Sequence, residues 1–167
     1  KVFEKIKSIA QMSMSLQSAN LDTLEHIGRK NIPINNYAKN TKECERLGIE
    51  TYCEMIYGLP GESYESFING ISTILKAGQN RIQLYVHQIN YGSETSGREY
   101  MERFGFKTKY RYYFQSCGTH HGISTTEYEQ IVVETNDMSF NDYLKIREFH
   151  FLILLLGSNV FKELQHI

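Results

Sequence analysis

The feature that most constrains this chain is the stretch from Ile49 to Glu62, where a two-faced strand pattern runs directly into Gly58-Leu59-Pro60-Gly61. Successive side chains of a strand point to opposite sides, so Cys53, Met55 and Tyr57 share one face while Tyr52, Glu54 and Ile56 share the other. The Gly-Leu-Pro-Gly segment must then turn the backbone, because glycine reaches positive φ and proline cannot donate to a ladder. Beyond the turn, Phe67, Ile68, Ile71, Ile74 and Leu75 recur at helical spacing, and Gly78 stops the pattern. A strand carrying a carboxylate, a glycine turn and an amphipathic helix together read as half of a ligand site of the α/β kind.

The same order recurs on both sides of this unit. Ala10, Met12, Met14 and Leu16 alternate with Gln11, Ser13, Ser15 and Gln17, which predicts a strand with one polar face. A helix follows, with Asn20 as its N-cap, Leu21, Leu24 and Ile27 at helical spacing and Gly28 as its stop. A second helix is expected over 36–47, with Tyr37, Thr41, Cys44 and Leu47 inward and Gly48 ending it. A third strand, 81–89, sets Ile82, Leu84 and Val86 against Gln83, Tyr85, His87 and Ile89.

Strands alternating with helices in this way predict a parallel sheet covered by helices. Residues 1–92 therefore read as about half of an α/β barrel, a partial (β/α) barrel fragment with parallel strands. Residues 93–167 read as a C-terminal α+β extension. Its expected parts are a short helix over 94–104, a strand over 110–115, a loop holding Cys117, Gly118, His120, His121 and Gly122, a strand over 128–135, and a helix that opens at Ser139-Phe140-Asn141-Asp142 and runs through Leu156.

Composition narrows the function. With 167 residues, 41% of them hydrophobic, the chain can bury one sizeable core. A net charge of -1, from 18 basic and 19 acidic residues, argues for neither nucleic acid nor an anionic membrane as partner. The longest apolar run, Phe151 to Leu156, ends at Gly157 and falls far short of the roughly 18 residues a membrane span needs; it is expected to be a buried helix. Three cysteines, 44, 53 and 117, form no pairable framework and suit a cytoplasmic setting. Their spacing also excludes a local three-cysteine loop for a [4Fe–4S] cluster. Cys117, His120 and His121 have no partner pair at zinc spacing, so no metal ligand is assigned, and no nucleophile elbow or Ser/His/Asp arrangement emerges. The Lys107–Arg111 bases fit an edge strand blunted by charge.

The polar strand faces carry the functional reading. Strands buried on both sides read as nearly continuous Val, Ile and Leu, whereas here Ser13, Ser15, Gln17, Glu54, Gln83 and His87 occupy one side of three strands. Such a wall suits a polar ligand, and in barrels ligands sit at the carboxyl ends of the strands. A solvent-facing open sheet is the alternative.

Ser15-Leu16-Gln17-Ser18, Arg29, Glu54 and Gly58-Leu59-Pro60-Gly61-Glu62 together resemble the radical S-adenosylmethionine (SAM) enzymes. Gly92-Ser93-Glu94-Thr95, Val132-Val133-Glu134-Thr135 and Met138 to Tyr143 extend the resemblance to the branch often joined to a cobalamin-binding domain, similar to the anaerobic magnesium-protoporphyrin monomethyl ester oxidative cyclase. The resemblance implies that Ser15 and Gln17 approach the ribose and amino-acid portion of SAM, that Arg29 meets its carboxylate and that Glu54 binds the ribose hydroxyls. It also implies that Ile56 packs on adenine beside Gly58, Pro60 and Gly61. Arg is a forked donor suited to a carboxylate, and a carboxylate accepts from two hydroxyls. Tyr85 and His87 are the candidate substrate contacts; no catalytic residue is assigned.

Family members hold their cluster on a Cys-x3-Cys-x2-Cys loop and use it to cleave SAM to a 5′-deoxyadenosyl radical. Nothing in this sequence supplies that loop. The chain is therefore expected to be the C-terminal portion of such an enzyme, inactive alone, with the cluster site in a preceding first half of the barrel and a cobalamin site, where cobalamin is used, in a domain before that. The expected reaction is methyl transfer, cyclisation or another radical modification of a small organic molecule, and the exposed sheet edges of a half-barrel predict self-association. The alternative is a complete, non-catalytic binding or assembly module on a degenerate barrel.

Overall fold

The computed structural model describes residues 11–79 and 81–157; Ala10, the first residue of the expected alternation, lies outside them. Strands β1 (Gln11–Ser13), β2 (Glu50–Tyr57) and β3 (Ile82–Val86) form a parallel sheet in the order β1-β2-β3. Helices α1 (Leu21–His26) and α2 (Ile34–Leu47) connect the first two, and α3 (Tyr64–Lys76) connects β2 to β3. The register pairs Ser13 with Tyr52 and Glu54 with Gln83, so the polar positions of neighbouring strands line up on one face.

Local signals set the helix ends. Asn20 accepts the Asp22 N–H at 3.0 Å and caps α1, while Gly48 ends α2 at φ 69°. The start of α3 is a reciprocal box in which Ser63 and Ser66 each accept the other's backbone N–H.

The second half joins the same layer. After a 3-10 turn (Glu94–Ser96) and α4 (Arg98–Arg103), strands β4 (Lys107–His120) and β5 (Ile123–Glu134) form an antiparallel hairpin. Its two-residue turn, His121-Gly122, has positive φ at both positions, the geometry that matches strand twist. Cys117, Gly118 and His120, expected in a loop, are thus strand residues: pairing to Thr126, Thr125 and Ile123 outweighs their weak β-propensity. β5 runs beside the end of β3 through a bridge between Gln88 and Ile131, with the Val132 N–H donating to the His87 oxygen at 2.9 Å. The hairpin therefore continues the parallel sheet in the antiparallel sense.

One face of this layer is covered. Cys53, Met55, Tyr57, Leu84 and Val86 pack with Tyr37 of α2, Phe67, Ile71 and Ile74 of α3, and Tyr143 and Ile146 of helix α5 (Phe140–Gly157). Ile131, Val133 and Met138 belong to the same cluster, so residues on both sides of position 92 share one core. Two expectations are corrected here. Leu75, placed on the inward stripe of α3, is 48% exposed, and the buried stripe is made by Phe67, Gly70, Ile71 and Ile74. The apolar end of α5 is not buried among the described residues: Phe151, Leu152 and Leu154 face outward, and only Phe149 and Ile153 lean on the core. A helix apolar all round cannot bury every side on one sheet.

Candidate functional site

The opposite face of β1–β3 carries Ser13, Ser15, Glu54, Ile56, Gln83 and Tyr85, exposed or half-buried. Pairing of β1 with β2 puts the serines beside the carboxylate. Ser15 Oγ donates to Glu54 Oε2 at 2.5 Å, Ser13 Oγ reaches the same oxygen at 3.3 Å, and the two hydroxyls lie 2.6 Å apart. A carboxylate has about four lone-pair sites, so two serines leave acceptor capacity for further hydroxyls. Tyr85 donates to Gln83 Oε1 at 3.0 Å. Partial burial, and then the nearby Glu54 charge, push its phenol above the ordinary value.

Gln17 closes the carboxyl end of this wall. Its N–H donates to the Glu54 oxygen at 3.1 Å and its own oxygen accepts the Ile56 N–H at 2.8 Å, which holds it to β2 on both sides. It does so at φ 60°, a left-handed conformation rare outside glycine. Arg29 is exposed just after α1, its N–H tied to the Leu24 oxygen at 2.8 Å. The next three residues, Lys30, Asn31 and Ile32, line a groove of about 480 Å³ along β1 together with Ser13, Ser15, Asn40 and Glu43. Ser15, Gln17, Glu54 and Ile56 are thus brought together, and the segment that follows Arg29 borders Ser13 and Ser15.

The glycine turn and His87 are placed differently. Gly58 has φ 84°, and a Cβ there would meet His87 Cβ at 3.5 Å and the Val132 oxygen at 3.4 Å. Pro60 is buried, and Gly61 packs against His26 and Thr23. These residues serve the close approach of protein segments. His87, expected on the polar face, is 7% exposed. It is buried because β5 and Phe106 cover the end of β3: the His87 ring meets Phe106 edge-on at 5.3 Å. Its Nδ1 carries the proton, donating to the Gly58 oxygen at 3.0 Å, and burial lowers its pKa.

Sequence reasoning missed one polar centre. Glu62 is 1% exposed and accepts from Ser18 Oγ at Oε2 and from Ser66 Oγ at Oε1. Burial pushes its carboxyl up, and the hydroxyls act in the other direction. The available signal was Ser18 after a polar strand end together with Glu62-Ser63 at a helix start, both capping sequences.

By donor chemistry the residues of the open face could accept the adenosine end of SAM: a carboxylate with acceptor capacity for ribose hydroxyls and an apolar Ile56 beside it. They do not fit an iron–sulfur cluster. Cys44 lies on α2, Cys53 on β2 facing the core and Cys117 on β4, and no group of three potential metal ligands occurs among the described residues.

No protein-family model matches the chain. A 2-(S-pantetheinyl)-carbapenam-3-carboxylate methyltransferase of Streptantibioticus cattleyicolor is 37% identical over 79% of this chain and 19% of its own length. The cobalamin-dependent radical SAM methyltransferase TokK of Streptomyces tokunonensis is 36% identical over 75% of this chain and 18% of its own. Among solved structures, the radical SAM enzyme coproporphyrinogen III oxidase (HemN) of Escherichia coli aligns with 57% of this chain and 21% of its own at a TM-score of 0.45 and 19% identity, a likeness too distant to build on. Both of these curated relatives are methyltransferases by name, one of them a cobalamin-dependent radical SAM enzyme, and the chain spans about a fifth of the length of each.

Proposed function

We propose that this chain is the carboxyl-terminal part of the barrel, with its extension, of a cobalamin-dependent radical SAM methyltransferase, and that the open face of β1–β3 holds the adenosine end of SAM. The single observation that carries the reading is the Glu54 carboxylate, held by Ser13 and Ser15 on an open strand face with Gln17 locked beside it. Methyl transfer is favoured over cyclisation because both relatives are named methyltransferases.

In this reading Glu54 accepts from the ribose hydroxyls, and the two serines fix its direction. Ile56 offers an apolar contact to adenine, Gln17 offers its side-chain amide at the strand end, and Arg29 neutralises the carboxylate of the amino-acid portion. Tyr85 stands further along the same face, where it contacts the small-molecule substrate. When bound, SAM would supply the radical on accepting an electron from the cluster, while this chain binds, orients and shields it. In this reading cluster ligation falls to a first half of the barrel and cobalamin binding to a separate domain before it.

The test is ligand-observed NMR of the chain with S-adenosylhomocysteine, which needs no cluster to bind. Saturation transfer to the ribose and adenine protons is expected, with affinity reduced about tenfold in Glu54→Ala, the loss of one charge-assisted contact. Arg29→Ala weakens binding through the amino-acid carboxylate. Both positions are exposed or half-exposed, so both variants should fold. No transfer in the parent chain, or equal affinity in both variants, overturns the reading.

A further inference from the structure

Glu62 is the most deeply buried acid among the described residues, and the proposed ligand contacts make no use of it. Its two oxygens receive Ser18 Oγ and Ser66 Oγ, one each. Both hydroxyls also accept a main-chain N–H, Ser18 from Asn20 and Ser66 from Ser63, each at 3.0 Å. With a lone pair of the Ser18 hydroxyl occupied by an amide, its single proton is left for the carboxylate; the Ser66 proton has the nearer Glu62 oxygen and, at 3.1 Å, the Ser63 oxygen as acceptors. Glu62 is thus wired as an acceptor in two directions, and it ties the chain after β1 to the start of α3.

Ser18 is a junction. Its oxygen accepts Asn31 Nδ2 at 2.8 Å, which anchors the segment that carries Arg29 and lines the groove. It also directly follows Gln17, whose φ of 60° is unfavourable for a residue with a Cβ and persists only if the surroundings enforce it. The bonds from Gln17 to Glu54 and Ile56 provide part of that enforcement. The anchor on its other side is the buried pair of Ser18 and Glu62.

We propose that Glu62 is a positioning residue: by gripping Ser18 it holds Gln17 in its left-handed conformation beside Glu54 and keeps the Arg29-bearing segment against the groove. The site geometry is then set from behind the sheet end by a residue that does not touch the ligand. The inference rests on the SAM reading for its consequence in binding, but the coupling of Glu62 to Gln17 is a property of the chain itself.

Glu62→Gln tests it, because the amide replaces one acceptor oxygen with a donor and can match only one of the two hydroxyls. Amide hydrogen exchange of Gln17 and Ile56 is expected to accelerate about tenfold, the loss of one charge-assisted bond, while that of Cys53, bonded to the Arg81 oxygen, changes less. S-adenosylhomocysteine affinity should fall by a similar factor. Ser18→Ala should reproduce both effects, and it serves alone if Glu62→Gln does not fold. Ser66→Ala cuts the carboxylate only on the α3 side and should spare Gln17. Unchanged exchange at Gln17, or a uniform rise across the sheet with affinity retained, overturns the inference. If Gln17 responds as described but the parent chain binds no S-adenosylhomocysteine, the ligand reading fails and the coupling stands.

Discussion

Ser15 Oγ lies 2.5 Å from Glu54 Oε2, a hydroxyl of β1's continuation donating to a carboxylate of β2 on the face that no helix covers among the described residues. Side chains on an open sheet face have water as an alternative partner, so this bond confers direction more than stability. Ser15→Ala is expected to leave the unfolding midpoint unchanged and to weaken S-adenosylhomocysteine binding about two- to fivefold, less than a full hydrogen bond to charge because Ser13 remains. A titration followed by ligand-observed NMR beside a urea curve separates the two effects.

Gln17 trades stability for placement. Gln17→Gly removes a left-handed penalty of about 1–2 kcal/mol and adds about 0.5–1 kcal/mol of unfolded-chain entropy. The variant should therefore be as stable as the parent or slightly more so, with weaker ligand binding. A fall in stability beyond about 1 kcal/mol would show that the Gln17 side chain holds the fold, contrary to the role given it here.

Gly61 answers to packing. Its φ is 77°, and a Cβ there would come within 2.7 Å of His26 Nδ1. Gly61→Ala should destabilise by more than about 1 kcal/mol. His26→Ala in the same chain should restore only the part due to the clash, leaving the backbone strain. Denaturation of the two single variants and the double variant gives the coupling directly.

Acid should weaken the fold through its buried histidines. Burial lowers the pKa of both His87 and His150, and the charges of Arg147 and Arg111 add to the effect on His150. Both are therefore neutral in the folded state, and their contribution is present above the ordinary value of 6.5 and lost as pH falls through and below it. Urea midpoints at pH 7.5 and 5.5 should differ, and His87→Gln should reduce the difference. Glu62 acts in the opposite sense: its raised pKa favours the folded state most below 4.5, and that contribution is lost as pH rises through its folded value.

The end of α5 presents Phe151, Leu152 and Leu154 to solvent. An apolar dye such as ANS should bind the folded chain there, and Leu152→Glu with Leu154→Glu should abolish most of the fluorescence without lowering the unfolding midpoint. Dye binding that survives both substitutions would locate the apolar surface elsewhere.

Much of the fold was legible because it rests on short-range rules. The alternation of Cys53, Met55 and Tyr57 with Glu54 and Ile56 fixed which face of β2 is covered, since a one-residue slip would reverse it. Asn20 and Gly48 marked helix ends by groups only a few residues apart. Ser15, Gln17, Glu54 and Ile56 could be grouped from the sequence because parallel pairing brings equivalent strand ends together.

What the linear order could not show were the contacts made by distant segments. His87 has the parity of the open face, yet β5 and Phe106 arrive from more than a strand away and bury it. Cys117 to His120 lack a strand pattern of their own and become strand only through the antiparallel partner. Glu62 looks like an ordinary first-turn acid until Ser18, at the far end of another loop, is found against it. The sequence by itself determined the order of elements and the two-sidedness of each strand, since backbone sterics and side-chain period act locally. Only the tertiary structure decided which polar groups meet, because desolvation and hydrogen bonding depend on what the rest of the chain brings alongside.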